Sequence, residues 1–227
     1  MALLKLIRCK VAAEKRAAFC NSQQAWQPIA DCKGFIAQLG GWEIPSNNQG
    51  LDDTHLSAAD SDAIVLGMWR SEADLSQFMA FEHDKIFDIN QQQTSYLSCK
   101  VSRFNEVSAI HQAEVNDKTS SPALLHIKQY NGVINIHIFR AILMAWLSVA
   151  TQKQRKPICI HIWQHTEDTD CLLITSLWKN QQAYEQDRHS PHRITIQSRL
   201  NTQCHSTKDC LIKLESLWNI APQEVNV

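Results

Sequence analysis

The chain has 227 residues, of which 44% are hydrophobic and 20% charged, an ordinary globular balance that excludes global disorder and a fibrous protein. Lys plus Arg number 22 against 23 Asp plus Glu, so there is no chain-wide basic field for nucleic acid. Five of the 6 glycines precede residue 70, and no glycine-rich phosphate loop, Walker or dinucleotide fingerprint or nucleophile elbow is present.

The elements alternate in a regular order. Leu3–Val11 (LLKLIRCKV) reads as a strand from its alternation. Residues 12–30 have helical spacing, with Ala17, Phe19, Cys20, Gln24 and Trp26 on the apolar face and Pro28 as the stop. Residues 34–44 form a second strand, where Gly40-Gly41 predicts a bulge or a close backbone approach. Residues 45–62 are polar and turn-forming, a hairpin loop, and a third strand spans 62–69. Ser71 then caps a helix that carries Glu72 and Asp74 in its first turn and runs to about residue 90. Residues 94–107 close the unit as a fourth strand. The order is β-α-β-β-α-β.

Residues 108–121 lack an apolar period and read as a linker. The same order then returns: a strand over 122–130, a helix over 132–154, and strands over 156–165 and 171–178. A helix interrupted near Pro191 and a last strand over 209–220 follow. Trp69 ends the third strand of the first half and Trp178 that of the second. Each is followed by a polar helix start, and each has a His fourteen residues on, His83 and His192. The expected domains are 1–107, the linker 108–121, and a diverged second unit at 122–227.

A β-α-β-β-α-β unit makes an antiparallel sheet with both helices on one face, which leaves an apolar face to be covered. The expected fold class is α+β: two tandem ferredoxin-like units. Their open faces close on each other within the chain as a pseudo-dimer or on a partner in a homo-oligomer. Ile134–Ala150 is the longest apolar stretch, but it carries Asn135, His137 and Arg140 and is no membrane span. Lys5, Arg8 and Lys10 break any signal-peptide core, so the expected compartment is the cytoplasm, without membrane or nucleic-acid partners. None of the eight cysteines forms a C-x-x-C pair, which predicts free thiols, most of them buried.

Three features point to a site. Trp69 and His83 are the candidate catalytic pair. A strand-end Trp can wall a pocket, and a helical His can accept and return a proton. Arg8, Gln38 and Trp42 are candidate pocket-lining residues by strand parity, with core packing as the competing role for Trp42. In the second half, the parity of ICIHIWQH puts Cys159, His161, Trp163 and His165 on one face and Ile158, Ile160 and Ile162 on the other. The isoleucine face belongs against the helices. His126, Trp178 and His192 complete that candidate set, and His189, like His192, follows the third strand of that unit. Facing imidazoles could hold a metal or a haem iron; a hydrated face of ordinary histidines is the competing reading. No metal site is assigned and no cofactor is called for. Arg188, Arg193 and Arg199 read as a solvated face.

The stretches LLKLIRCKV, GFIAQLGGW, WRSEADLSQFM, EHDKIF and SCKVSRF, over residues 3–107, resemble the uncharacterised YdbC-like bacterial proteins. With LWKNQQAYEQDRHSPHR in the second half, the chain resembles the dimeric α/β-barrel superfamily, the antibiotic biosynthesis monooxygenase-like proteins. That resemblance implies a barrel-type pairing of sheets and chemistries ranging from cofactor-free oxygenation of aromatic compounds to haem degradation. Haem-degrading members use an Asn on strand one, a Trp on strand three and a helical His. Trp69 and His83 fall near the last two positions, while strand one carries Ile7 and Arg8 and no Asn. The functional expectation is an oxygenase of a small aromatic or hydrophobic compound. The alternatives are a non-catalytic ligand-binding or self-assembling barrel, and haem or metal binding through the second-half histidines.

Overall fold

The computed structural model describes residues 1–45, 60–111, 122–150 and 157–222. It divides into two compact units, unit 1 (Met1–Asn105 with Ile212–Val227) and unit 2 (Glu106–Leu211). Most of the expected hairpin loop and residues 112–121 of the expected linker lie outside the described residues. Residues 108–111, also expected in the linker, continue a strand.

The elements of the first β-α-β-β-α-β run are β1 (Leu3–Val11), α1 (Arg16–Gln24), β2 (Phe35–Glu43), β3 (Ser61–Trp69), α2 (Glu72–Phe81), α3 (His83–Asn90) and β4 (Ser98–His111). The second run comprises β5 (Leu124–Val133), α4 (Ile136–Ala150), β6 (Cys159–His165), β7 (Leu172–Trp178), α5 (Gln181–Arg188), α6 (Pro191–Asn201) and β8 (Cys204–Leu214). Residues 98–105 of β4 and 212–214 of β8 belong to unit 1, the rest of each strand to unit 2. Both units have the antiparallel α+β arrangement, with helices packed on one sheet face.

In unit 1 the strand order is β4-β1-β3-β2-β8, all antiparallel. Leu3, Phe35 and Trp69 face the helices and pack with Trp26, Leu75 and Phe78. Cys9, Val65 and Trp42 do the same around Phe19 and Trp218. The other face presents Leu4, Leu6, Ile64, Leu66 and Phe104, also buried. In unit 2 the order is β8-β5-β7-β6-β4. Tyr130, Ile160, Ile162, Leu172 and Ile174 pack against Phe139, Leu143 and Trp146 of α4. The isoleucine face of β6 does lie against a helix.

Several local signals read from the sequence are present. Ser71 caps α2, its Oγ accepting from Asp74 N–H at 3.2 Å; in the polar helix start after Trp178 the structure adds a cap at Asn180, which accepts from Ala183 N–H at 2.8 Å. Trp69 pairs with Leu3 and Trp178 with Leu124, so the two strand-end tryptophans hold the same register in their units. Gly41 is a close approach: a Cβ there would lie 2.0 Å from the carbonyl oxygen of Lys213. The β2 irregularity falls between Phe35 and Ala37 instead of at the glycine pair.

Other elements differ from expectation. The buried face of α1 is Phe19, Ser22 and Gln23, whereas Ala17 and Gln24 are exposed. Polar Gln23 displaces small Ala17 from the core because it lines a cavity. The helix after Ser71 is divided at Glu82 (φ −118°, ψ −32°) into α2 and α3. The last strand begins at Cys204, five residues early, since backbone pairing continues through the exposed, polar residues 204–208, which show no alternation. It ends at Leu214, and Ser216–Trp218 forms a 3-10 turn that sinks Trp218 into the core.

Candidate functional site

Unit 1 contains a cavity of about 400 Å³ between its sheet and its helices. The odd-numbered side chains of β1 form its floor. Lys5, Ile7 and Cys9 share the helix-facing parity, with Val65, Gly67 and Trp69 beside them on β3. Cys99, Val101 and Arg103 extend the floor along β4. The roof comes from Trp26, Phe78, His83 and Phe87. The break at Glu82 matters here. Just past it, the His83 ring sits 5.4 Å from Trp26, 5.8 Å from Phe78 and stacks on Phe87 at 5.7 Å. The walls are mostly apolar and aromatic, the usual lining of a small-molecule site.

His83 Nδ1 lies 2.8 Å from Asp84 Oδ1. With the proton on Nδ1, the carboxylate accepts from it and Nε2 is left as the basic atom. The Trp26 indole N–H donates to Gln92 Oε1 at 2.8 Å, which locks that wall. Lys5 is buried in the floor with its Nζ 3.4 Å from Met79 Sδ. Burial, reinforced by the Arg103 charge, lowers the Lys5 pKa to about 8. The hydrogen bond from Cys9 brings the Cys99 thiol down to about 7 against the opposing effect of burial, and Lys5 adds to the lowering. Cys9 is pushed up, chiefly by donating that hydrogen bond and also by burial.

Among the expected site residues, the structure brings Trp69, His83 and Gln38 to this cavity. Trp69 is buried, its ring tilted against Phe78 at 4.9 Å. Gln38 lines the cavity, but its Nε2 donates to the Trp218 carbonyl at 3.3 Å. Arg8 is not among the lining residues: its even parity sends it to the opposite sheet face from Lys5 and Ile7. Trp42 keeps the helix-facing parity, yet it packs against Phe19 and Trp218 with the Arg16 guanidinium 4.1 Å over its ring. Lys5, Cys9, Cys99 and Arg103 were not anticipated as site residues. The signal for Lys5 was a lysine on the buried parity of an otherwise apolar strand.

The second-half residues do not converge. His161 Nδ1 sits 2.8 Å from Glu106 Oε1, and its ring stacks on Trp163. Trp163 is buried and donates to Thr175 Oγ1 at 2.9 Å. His165 Nδ1 accepts from the backbone N–H groups of Glu167 and Asp168 in the β6–β7 turn. His126 lies on the opposite face, because β5 directs Leu124, His126, Lys128 and Tyr130 toward the helices. There it is wholly buried, contacts Tyr184 and hydrogen-bonds Asp209, which also receives Lys128 Nζ at 2.7 Å. Trp178 packs edge-on to Tyr184 and donates to Ser176 Oγ at 2.9 Å. His192 sits in the first turn of α6, and exposed His189 Nδ1 lies 2.8 Å from the Glu185 carbonyl oxygen. Among the described residues no three His, Cys, Asp or Glu side chains are grouped to hold a metal ion. Arg193 lies over Trp146 at 4.1 Å and pairs with Asp187, so it is packed rather than freely solvated.

Residues 3–104 match the family described as a domain of unknown function, DUF4937. The uncharacterised protein YdbC of Bacillus subtilis is 31% identical over 104 residues, which cover 46% of this chain and 78% of that protein. The chain belongs to the DUF4937 family. Its fold is that of the antibiotic biosynthesis monooxygenase-like proteins. A candidate monooxygenase of Fusobacterium nucleatum superposes with a TM-score of 0.73 at 8% identity, covering 97% of this chain and 94% of that one. An anthrone oxidase-like protein matches at TM-score 0.65 and 12% identity, covering 98% and 94%. A ferredoxin-fold relative of antibiotic biosynthesis monooxygenases from Listeria monocytogenes matches at 0.50 and 7%, covering 95% and 96%. At such identities the likeness is one of fold alone. No helix among the described residues is long and apolar enough to cross a membrane.

Proposed function

We propose that unit 1 of this DUF4937 member is a cofactor-independent oxygenase of a small aromatic compound with an acidic C–H group. The observation that carries the reading is the aromatic-walled cavity of about 400 Å³ with His83, coupled to Asp84, on its roof. The volume suits a ligand of two or three fused rings. His83 removes a proton from a ring-activated CH₂, and the cationic groups of Lys5 and Arg103 on the floor stabilise the resulting carbanion. The carbanion reduces O₂ itself, so no external reductant enters. The CH₂ becomes C=O, and its two hydrogens leave with the second oxygen atom as water. Trp69 and Trp26 wall the ring system and keep water out. The fold neighbour named as anthrone oxidase-like supports this substrate class.

The test is oxygen uptake by the purified full chain with anthrone and related tricyclic substrates. One O₂ consumed per quinone formed, without added metal or flavin, is the expected stoichiometry. His83→Gln should lower kcat by about 10²–10⁴-fold, the usual contribution of a positioned base. Turnover unchanged in His83→Gln would overturn the assignment. Saturable binding without oxygen uptake would instead favour a non-catalytic ligand-binding protein.

A further inference from the structure

Cys9 and Cys99 are direct cross-strand partners on β1 and β4, and both side chains line the unit-1 cavity. Directly opposed residues of an antiparallel pair have Cα atoms about 4.5–5.5 Å apart, within the range a disulfide spans. The two are not alike. Cys9 is buried in the floor, and Cys99, on the same face, is solvent-exposed. Lys5, on the same face of β1 as Cys9, adds positive charge near the Cys99 sulfur. A reachable, charge-stabilised thiolate backed by a buried, protonated thiol is the arrangement of an attacking and a resolving cysteine.

We propose that Cys9 and Cys99 form an oxidisable dithiol that reacts with organic hydroperoxides and closes to a disulfide between β1 and β4. The apolar cavity walls fit the organic group of such a peroxide, and Lys5 and Arg103 stand where the leaving alkoxide gathers charge. The Cys99 thiolate attacks the terminal peroxide oxygen. An S–O bond forms, the O–O bond breaks, and the alkoxide takes a proton from the Lys5 ammonium to leave as alcohol. Cys9 sulfur then attacks the Cys99 sulfenic sulfur. The S–S bond forms, the S–O bond breaks, and hydroxide leaves with the Cys9 proton as water. Over both steps the two thiols lose two electrons and two protons, and the hydroperoxide becomes alcohol and water. A small-molecule thiol attacking the exposed Cys99 sulfur reverses the bridge.

The test uses the reduced full chain with stoichiometric cumene hydroperoxide, followed by alkylation, digestion and peptide mass mapping. A Cys9–Cys99 cross-linked peptide should dominate, with about two thiols lost per chain and restored by dithiothreitol. Cys9→Ser should trap a dimedone adduct on Cys99, and Cys99→Ser should abolish the bridge with its melting curve retained. Lys5→Met should slow Cys99 oxidation about tenfold at neutral pH by depleting the thiolate. Bridge formation is read under nitrogen and without any aromatic substrate, which separates this chemistry from the oxygenase reading. Two outcomes overturn the proposal. One is consumption of the other cysteines as fast as Cys99 in the wild type. The other is a wild-type Cys99 that passes to sulfinic acid without joining Cys9; both are read without any variant.

Discussion

Replacing Gly67 with leucine places four carbons directly in the unit-1 cavity. Gly67 sits on β3 between its register partners Lys5 and Gln38, both cavity-lining residues. A Cβ built there meets only Trp69 Nε1, at an ordinary 3.6 Å, so the backbone tolerates the change. A leucine side chain fills about 100 Å³, and at about 24 cal/mol per Å³ of apolar cavity this is worth about 2 kcal/mol. Immobilising the side chain takes back roughly 0.5–1 kcal/mol, while losing the glycine's unfolded-state freedom adds roughly 0.4–1 kcal/mol. Gly67→Leu should therefore be more stable by about 1–2 kcal/mol in urea unfolding, whereas its affinity for anthrone, read by tryptophan fluorescence, should fall at least about tenfold. A loss of stability would show that the space is not empty. Unchanged affinity would put the ligand elsewhere and refute the cavity as the site.

Lys5 is held with its folded pKa near 8 against 10.5 for the free side chain. The unfolded chain binds the extra proton between those values, so wild-type stability should rise as pH increases from about 8 to 10.5. Lys5→Met should add up to about 3 kcal/mol at pH 7, a gain that shrinks over that window in a urea series. In unit 2, burial lowers the pKa of His126 despite its bond to Asp209, with Arg193 and Lys128 adding to the lowering. The folded state then refuses a proton that the unfolded state takes, and stability should fall as pH drops below about 6.5, by up to about 1.4 kcal/mol per unit. His126→Gln should flatten that slope; a wild-type urea midpoint independent of pH between 7.5 and 5.5 would contradict the buried neutral imidazole. Gly41→Ala should cost roughly 3 kcal/mol or more in the same assay, because the obstructing Lys213 carbonyl belongs to the backbone of a paired strand.

Periodicity and punctuation along the chain were enough to read two β-α-β-β-α-β runs, the helix cap at Ser71, and the helix-facing isoleucines of β6. These depend on neighbours a few residues apart, where alternation, capping groups and glycine conformational freedom act locally. Trp69 and His83 were legible as a pair because a strand end and the following helix stay close in space whatever the rest does. Which strand face looks into the cavity was not legible. It turns on which parity the helices cover, and that placed Lys5, Cys9 and Cys99 inside while sending Arg8 to the other face. The same rule separated His126 from His161, although both lie on strands with clear alternation. The Cys9–Cys99 pairing is set by β1–β4 register across ninety residues of chain. The family resemblance reaches the fold through residues 3–104; the cavity and its dithiol come from how the strands and the broken helix after Ser71 pack, since only packing brings distant side chains within a bond length of reacting.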